Sequence, residues 1–121
     1  MTNEWSIAIE GASVFALPEA KRWAKIVEPS PSYEIDEGAT NPEKTKPKLI
    51  INVIDSLGRK AQYYPNRTSA RFIASKLQTD LTNESMKKWV GQTIYWGKIL
   101  DMMIAGQTKK VLYVTDVKLI A

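Results

Sequence analysis

A chain of 121 residues is the size of one ordinary domain and can bury a single core without covalent staples. Its composition is 44% hydrophobic and 25% charged, which disfavours disorder of the whole chain, and the absence of cysteine and histidine excludes disulfides, thiolate metal sites, a cysteine nucleophile and a serine–histidine triad. The 17 basic residues outnumber 13 acidic ones for a net charge of +4, a modest excess that favours a polyanionic partner only weakly.

No stretch approaches the roughly 18 apolar residues that a membrane span needs. Met1 to Glu10 carries acids instead of a basic head before an apolar run, so no signal peptide is expected, and a cytoplasmic location without membrane contact is. Within residues 1–20, Trp5, Ile7 and Ile9 alternate with small or polar residues, and Pro18 closes the segment. The expectation is an N-terminal arm over 1–20, lying along a barrel formed by 21–121.

From Lys21 to Ile35 the pattern is extended and interrupted by Pro29 and Pro31, residues confined to edges and bends of sheets. Asp36 to Pro47 is polar, aperiodic and rich in turn residues, so it reads as a long loop. Lys48 to Asp55 is rich in β-branched residues and reads as a strand. Asp55-Ser56-Leu57-Gly58 is a hairpin turn, and Arg59 to Tyr64 is the return strand before Pro65.

Thr68 or Ser69 is the expected helix cap, and Ala70, Ile73, Ala74 and Leu77 then fall on one buried stripe. Thr82 opens a second short helical turn ending near Trp89, which Gly91 stops. Trp89 itself reads as a core plug. Gln92 to Ile104 and Lys109 to Ile120 read as two further strands around an Ala105-Gly106-Gln107-Thr108 hairpin. One methionine of the Met102–Met103 pair is expected in the core, the other at an interface.

The fold class is therefore all-β with one main helix. Five strands with a helix between the third and fourth match the order of the five-stranded OB-fold Greek-key barrel. A half-open sandwich or an SH3-like barrel shares part of that order.

Three segments carry a resemblance: Asn66-Arg67-Thr68-Ser69-Ala70-Arg71 at a helix start, Trp89-Val90-Gly91-Gln92-Thr93-Ile94-Tyr95-Trp96 at a strand start, and Gly106-Gln107-Thr108-Lys109-Lys110 before the last strand. Over residues 47–116 the chain resembles small phage and prophage OB-fold single-stranded DNA-binding proteins. The resemblance implies an OB fold and nucleic-acid binding in replication or recombination. It supplies no set of contacts, and the first 46 residues take no part in it.

Sequence-tolerant binding of a single strand needs cations along the phosphates and aromatic faces for the bases. The chain interleaves the two on its expected strands: Trp23, Lys25 and Tyr33 on the first; Lys48, Arg59, Lys60, Tyr63 and Tyr64 on the second and third; Tyr95 and Lys98 on the fourth; Lys109 and Lys110 at the last hairpin. Neighbours on a strand point to opposite faces, so one residue of Tyr63–Tyr64 and one of Tyr95–Trp96 is core. For any single lysine, the competing reading is a solvated face that prevents edge-to-edge aggregation.

The expected function is non-catalytic binding of single-stranded DNA, with self-association as a homodimer or larger assembly and no cofactor or metal. RNA is not distinguished, because no feature reads a 2′-hydroxyl. A protein–protein adaptor in replication or the virion is the alternative. Glu4, Glu10, Asp55, Asp101 and Asp116 are scattered singly, which disfavours a metal-dependent nuclease.

Overall fold

The computed structural model describes residues 7–34 and 48–119. Trp5, the Asp36–Pro47 loop and Ile120 lie outside the described residues.

The backbone of the fold is β4 (Lys48–Asp55). Its side chains alternate between two faces: Leu49, Ile51, Val53 and Asp55 are buried on the inner one, with Lys48, Ile50, Ile54 and a buried Asn52 on the other. An extended segment covers one edge of β4 in two pieces. β2 (Trp23–Ile26) pairs with its C-terminal half through Ala24↔Asp55 and Ile26↔Val53, and β3 (Ser32–Glu34) pairs with its N-terminal half through Ser32↔Ile50 and Tyr33↔Leu49. The break holds both prolines. Asn52 ties it down, its Nδ2 donating to the Pro29 carbonyl at 3.0 Å.

β5 (Lys60–Tyr63) returns along the other edge of β4. The turn between them is held by Asp55, whose carboxylate accepts from the Leu57 and Arg59 N–H groups at 3.0 and 2.9 Å. Gly58, at φ +81°, takes the left-handed position that glycine adopts without strain. β6 (Gln92–Tyr95) lies on the free side of β2, and β9 (Asp116–Leu119) lies beside β6. Among the described residues the order across the sheet is β1 (Ile7–Ala8), β5, β4, β2, β6, β9, and the sheet curls into a half-barrel.

The N-terminal segment, expected to be an arm, joins this body. β1 (Ile7–Ala8) pairs in parallel with β5, and α1 (Gly11–Phe15) puts Val14 into the core. A Cβ on Gly11 would collide with the Lys110 backbone, so the close approach of α1 to the later hairpin requires glycine.

The last two expected strands are corrected to four. The run from Gln92 breaks at Trp96–Gly97 into β6 and β7 (Lys98–Ile104), and the return run breaks after Tyr113 into β8 (Gln107–Tyr113) and β9. β7 and β8 form a separate two-stranded hairpin. The chains cross at the break: the Gly97 N–H donates to Thr115 Oγ1 and the Thr115 N–H to the Tyr95 carbonyl, both at 2.9 Å. A side chain at position 97 would strike Thr115. Because the hairpin leaves the barrel, Met102 and Met103 are both exposed, which corrects the expectation that one is core.

α2 (Arg67–Leu77) turns Ala70, Ile73 and Ala74 inward, as the stripe requires. Its cap is Asn66 instead of Thr68 or Ser69: Asn66 Oδ1 accepts from the Ser69 N–H at 2.7 Å. Ser69 is buried, and its Oγ accepts from the Val114 N–H at 3.0 Å, anchoring the helix just past the end of β8. α3 (Asn83–Met86) is capped by Thr82, and a 3-10 turn follows to Trp89. Trp89 is fully buried, with its indole N–H donating to Thr79 Oγ1 at 2.8 Å.

Asp80 stands before this cap and accepts from Thr82 Oγ1 at 2.6 Å. Hydrogen bonds from Ser85 and Thr82 hold its carboxyl at about 2, below the usual 3.8. A folded-state pKa below the unfolded one gives stability that is present above the unfolded value and lost as pH falls through the folded one. The α3 cap is therefore expected to loosen between about pH 4 and pH 2. A carboxyl titration by NMR checks this: a midpoint near 2 is expected in the intact protein, moving part of the way back up once Thr82→Val removes one donor while the Ser85 hydrogen bond remains.

Candidate nucleic-acid interface

The outer face of the half-barrel is set by register. Lys60 pairs with Ile54, Ile54 with Lys25, Lys25 with Thr93, and Thr93 with Lys118. Directly opposed residues on neighbouring strands share a face, so Lys60, Ile54, Lys25, Thr93 and Lys118 form one row across five strands. Lys60, Lys25 and Lys118 are all exposed. Strands sit about 4.8 Å apart, which spaces the three lysines at about 10 Å along the row.

A second row runs beside the first. Trp23 opposes Tyr95, and Tyr95 opposes Asp116. Both rings are half-buried, and Lys118 Nζ stands 5.5 Å from the centre of the Tyr95 ring. Lys118 also pairs with Asp116 at 3.4 Å. A third, polar line crosses the face on the other side: Tyr64 Oη donates to Gln62 Oε1 at 3.0 Å, and Gln62 Nε2 to Asn52 Oδ1 at 3.1 Å.

Among the residues expected from sequence, Trp23, Lys25, Lys60 and Tyr95 come together on this face. Lys48 lies on the same side at the start of β4. Tyr64 is exposed and lines a groove of about 280 Å³ with Lys109 and Lys110, at the seam between β5 and the hairpin. Lys110 is engaged there already, 3.0 Å from Asp101 and 4.2 Å from the centre of the Phe15 ring. Lys98 stands 5.8 Å from the Tyr113 ring on the hairpin's own surface.

Three expected residues lie elsewhere. Tyr63 is 3% exposed and packs edge-on against Trp96, ring centres 5.1 Å apart; a buried ring has no face for a base, so Tyr63 leaves the set, and burial raises its hydroxyl pKa. Arg59 bonds the Asp55 carboxylate through Nε and Nη2, both at 2.9 Å, so its guanidinium closes its own turn. Tyr33 is exposed but shares its side of the sheet with buried Leu49, and its N–H donates to Asn83 Oδ1 at 3.2 Å. That places it beside α3, away from the two rows.

Thr93 and Lys118 were not singled out from sequence. Lys118 follows Val117 and precedes Leu119, an alternation that marks an outward lysine, yet only the register places it beside Thr93. Among the described residues, no group of three or more acidic, histidine or cysteine side chains could hold a metal ion, and no helix is long and apolar enough to cross a membrane. Comparison of the chain with protein-family models, with curated proteins and with solved structures finds no match in any of the three.

Proposed function

We propose that the chain is an OB-type barrel that binds single-stranded nucleic acid, DNA foremost, without catalysing a reaction. The observation that carries this reading is the lysine row Lys60–Lys25–Lys118 lying directly beside the aromatic pair Trp23–Tyr95 on one solvent-facing sheet surface. Cations at regular spacing neutralise phosphates, and rings alongside accept bases by stacking, worth about 1–3 kcal/mol for each base. A strand crossing the sheet perpendicular to β4 meets both.

The sheet order supports the OB assignment. β5, β4, β2, β6 and β9 lie side by side, with the first long strand, β2, in the middle and α2 connecting β5 to β6. In such a barrel the β7–β8 hairpin is the connection between the last two strands, next to the usual ligand face. On this reading the chain would serve phage replication or recombination.

Titration of labelled single-stranded and double-stranded oligonucleotides, followed by anisotropy and tryptophan emission, tests the reading. Salt-sensitive binding that favours the single strand and quenches tryptophan is the expected result. Absence of binding at low salt contradicts it.

A second reading, a protein–protein adaptor, is favoured by one observation: the β7–β8 hairpin exposes Leu100 and Met102 on one face and Met103 on the other. Under it a protein partner covers the hairpin, and oligonucleotide leaves tryptophan emission unchanged.

A further inference from the structure

Among the described residues, three buried side-chain groups have no hydrogen-bond partner: Tyr63 Oη, Trp96 Nε1 and Thr93 Oγ1. The first two belong to the aromatic pair that packs together inside the barrel. Thr93 is different. It is 0% exposed, yet it sits on the outer face, in register between two exposed lysines. A hydroxyl withdrawn from water without a partner costs folding free energy that valine, of the same shape, would not. Such a group in a native fold calls for an explanation.

The flanking side chains supply one. Lys25 and Lys118 stand opposite Thr93 on the two neighbouring strands, and both are exposed. Long lysine stems lie over apolar surface and swing aside readily. Once they part, the Thr93 hydroxyl is open between two ammonium groups. One hydrogen-bond donor between two cations is the arrangement that suits a tetrahedral anion with charge on two oxygens. Among the described residues Asp116 brings a negative group to this spot, paired with Lys118 at 3.4 Å. A pair this loose and this exposed contributes little and yields to a stronger anion.

We propose that Lys25, Thr93 and Lys118 form a seat for one phosphodiester group of the bound strand. Thr93 Oγ1–H donates to a non-bridging oxygen, and the two ammonium groups flank the phosphate. The proposal rests on the single-strand reading above and adds to it a fixed register point. The phosphate sits on β6, so the neighbouring base falls at Tyr95, two residues along the same strand and face.

The test combines thermal melting with oligothymidylate binding for Thr93→Val, Thr93→Ser and Lys118→Gln. Thr93→Val is expected to raise Tm by a few degrees while weakening binding about tenfold, since a hydrogen bond to a charged group is lost. Thr93→Ser keeps the hydroxyl and binds within about twofold of the unaltered protein. Lys118→Gln lowers the slope of log K against log salt by about 0.7, the value for one phosphate of a single strand. Thr93→Val that is folded and binds as the unaltered protein does overturns the seat while the single-strand reading stands. If Thr93→Val fails to fold, an unchanged salt slope in Lys118→Gln overturns it. An unaltered protein that binds no oligothymidylate overturns the seat and the reading together.

Discussion

Replacing Trp96 by alanine is expected to cost about 3–5 kcal/mol, the usual toll for deleting a buried tryptophan. Domains of this size are stable by about 5–15 kcal/mol, so the variant loses a large share of its stability. Trp96 is 1% exposed and meets Tyr63 edge-on at 5.1 Å, a geometry worth a further 0.5–1.5 kcal/mol by typical double-mutant cycles, or about 1 kcal/mol. Its position adds to the effect. Trp96 directly follows β6, and its backbone N–H donates to the Arg22 carbonyl at 2.9 Å where the hairpin leaves the barrel. Urea denaturation followed by circular dichroism checks the figure: the midpoint falls steeply and the slope stays the same. Tyr64→Ala, on an exposed ring, is the internal contrast and changes the unfolding free energy by about 0.5 kcal/mol or less.

The elements that sequence made legible are those whose signals are local. β4 with its turn and return strand, the buried stripe of α2, and the Thr82 cap of α3 each depend on neighbours within a few residues. What stayed hidden depends on contacts distant in sequence. The break at Trp96–Gly97 exists because Thr115 crosses there, and nothing near Gly97 announces Thr115. Ser69 looks like a cap, but Val114 takes its hydroxyl, leaving the cap to Asn66. α1 is five residues long and lacks a side-chain cap; its place is fixed by contact with β8.

The candidate face divides in the same way. Alternation along each strand told that one of Tyr63 and Tyr64 is buried, though not which one. It put Lys25 and Lys60 on strand faces, yet the row they share with Thr93 and Lys118 follows from register across five strands. Register is fixed by which side chains the core accepts, here Ala24, Val53 and Ile94. A one-residue slip of β6 would turn Thr93 inward and Ile94 to the surface.

The lysine row bears the second large effect. Converting Lys25, Lys60 and Lys118 together to glutamine removes three cations that stand at regular spacing on one surface. In screened surroundings each ionic contact is worth about 1 kcal/mol. The triple variant is therefore expected to bind single-stranded DNA about 100-fold more weakly while melting near the unaltered protein, because exposed side chains contribute little to folding.

Salt dependence decides the matter most directly. The affinity of the unaltered protein and of the triple variant for oligothymidylate is measured across a series of salt concentrations. If the row neutralises three phosphates, the slope of log K against log salt falls by about 2 in magnitude in the variant. Equal slopes and equal affinities would show that the strand, if bound at all, runs elsewhere, and would contradict the outer face as the binding surface.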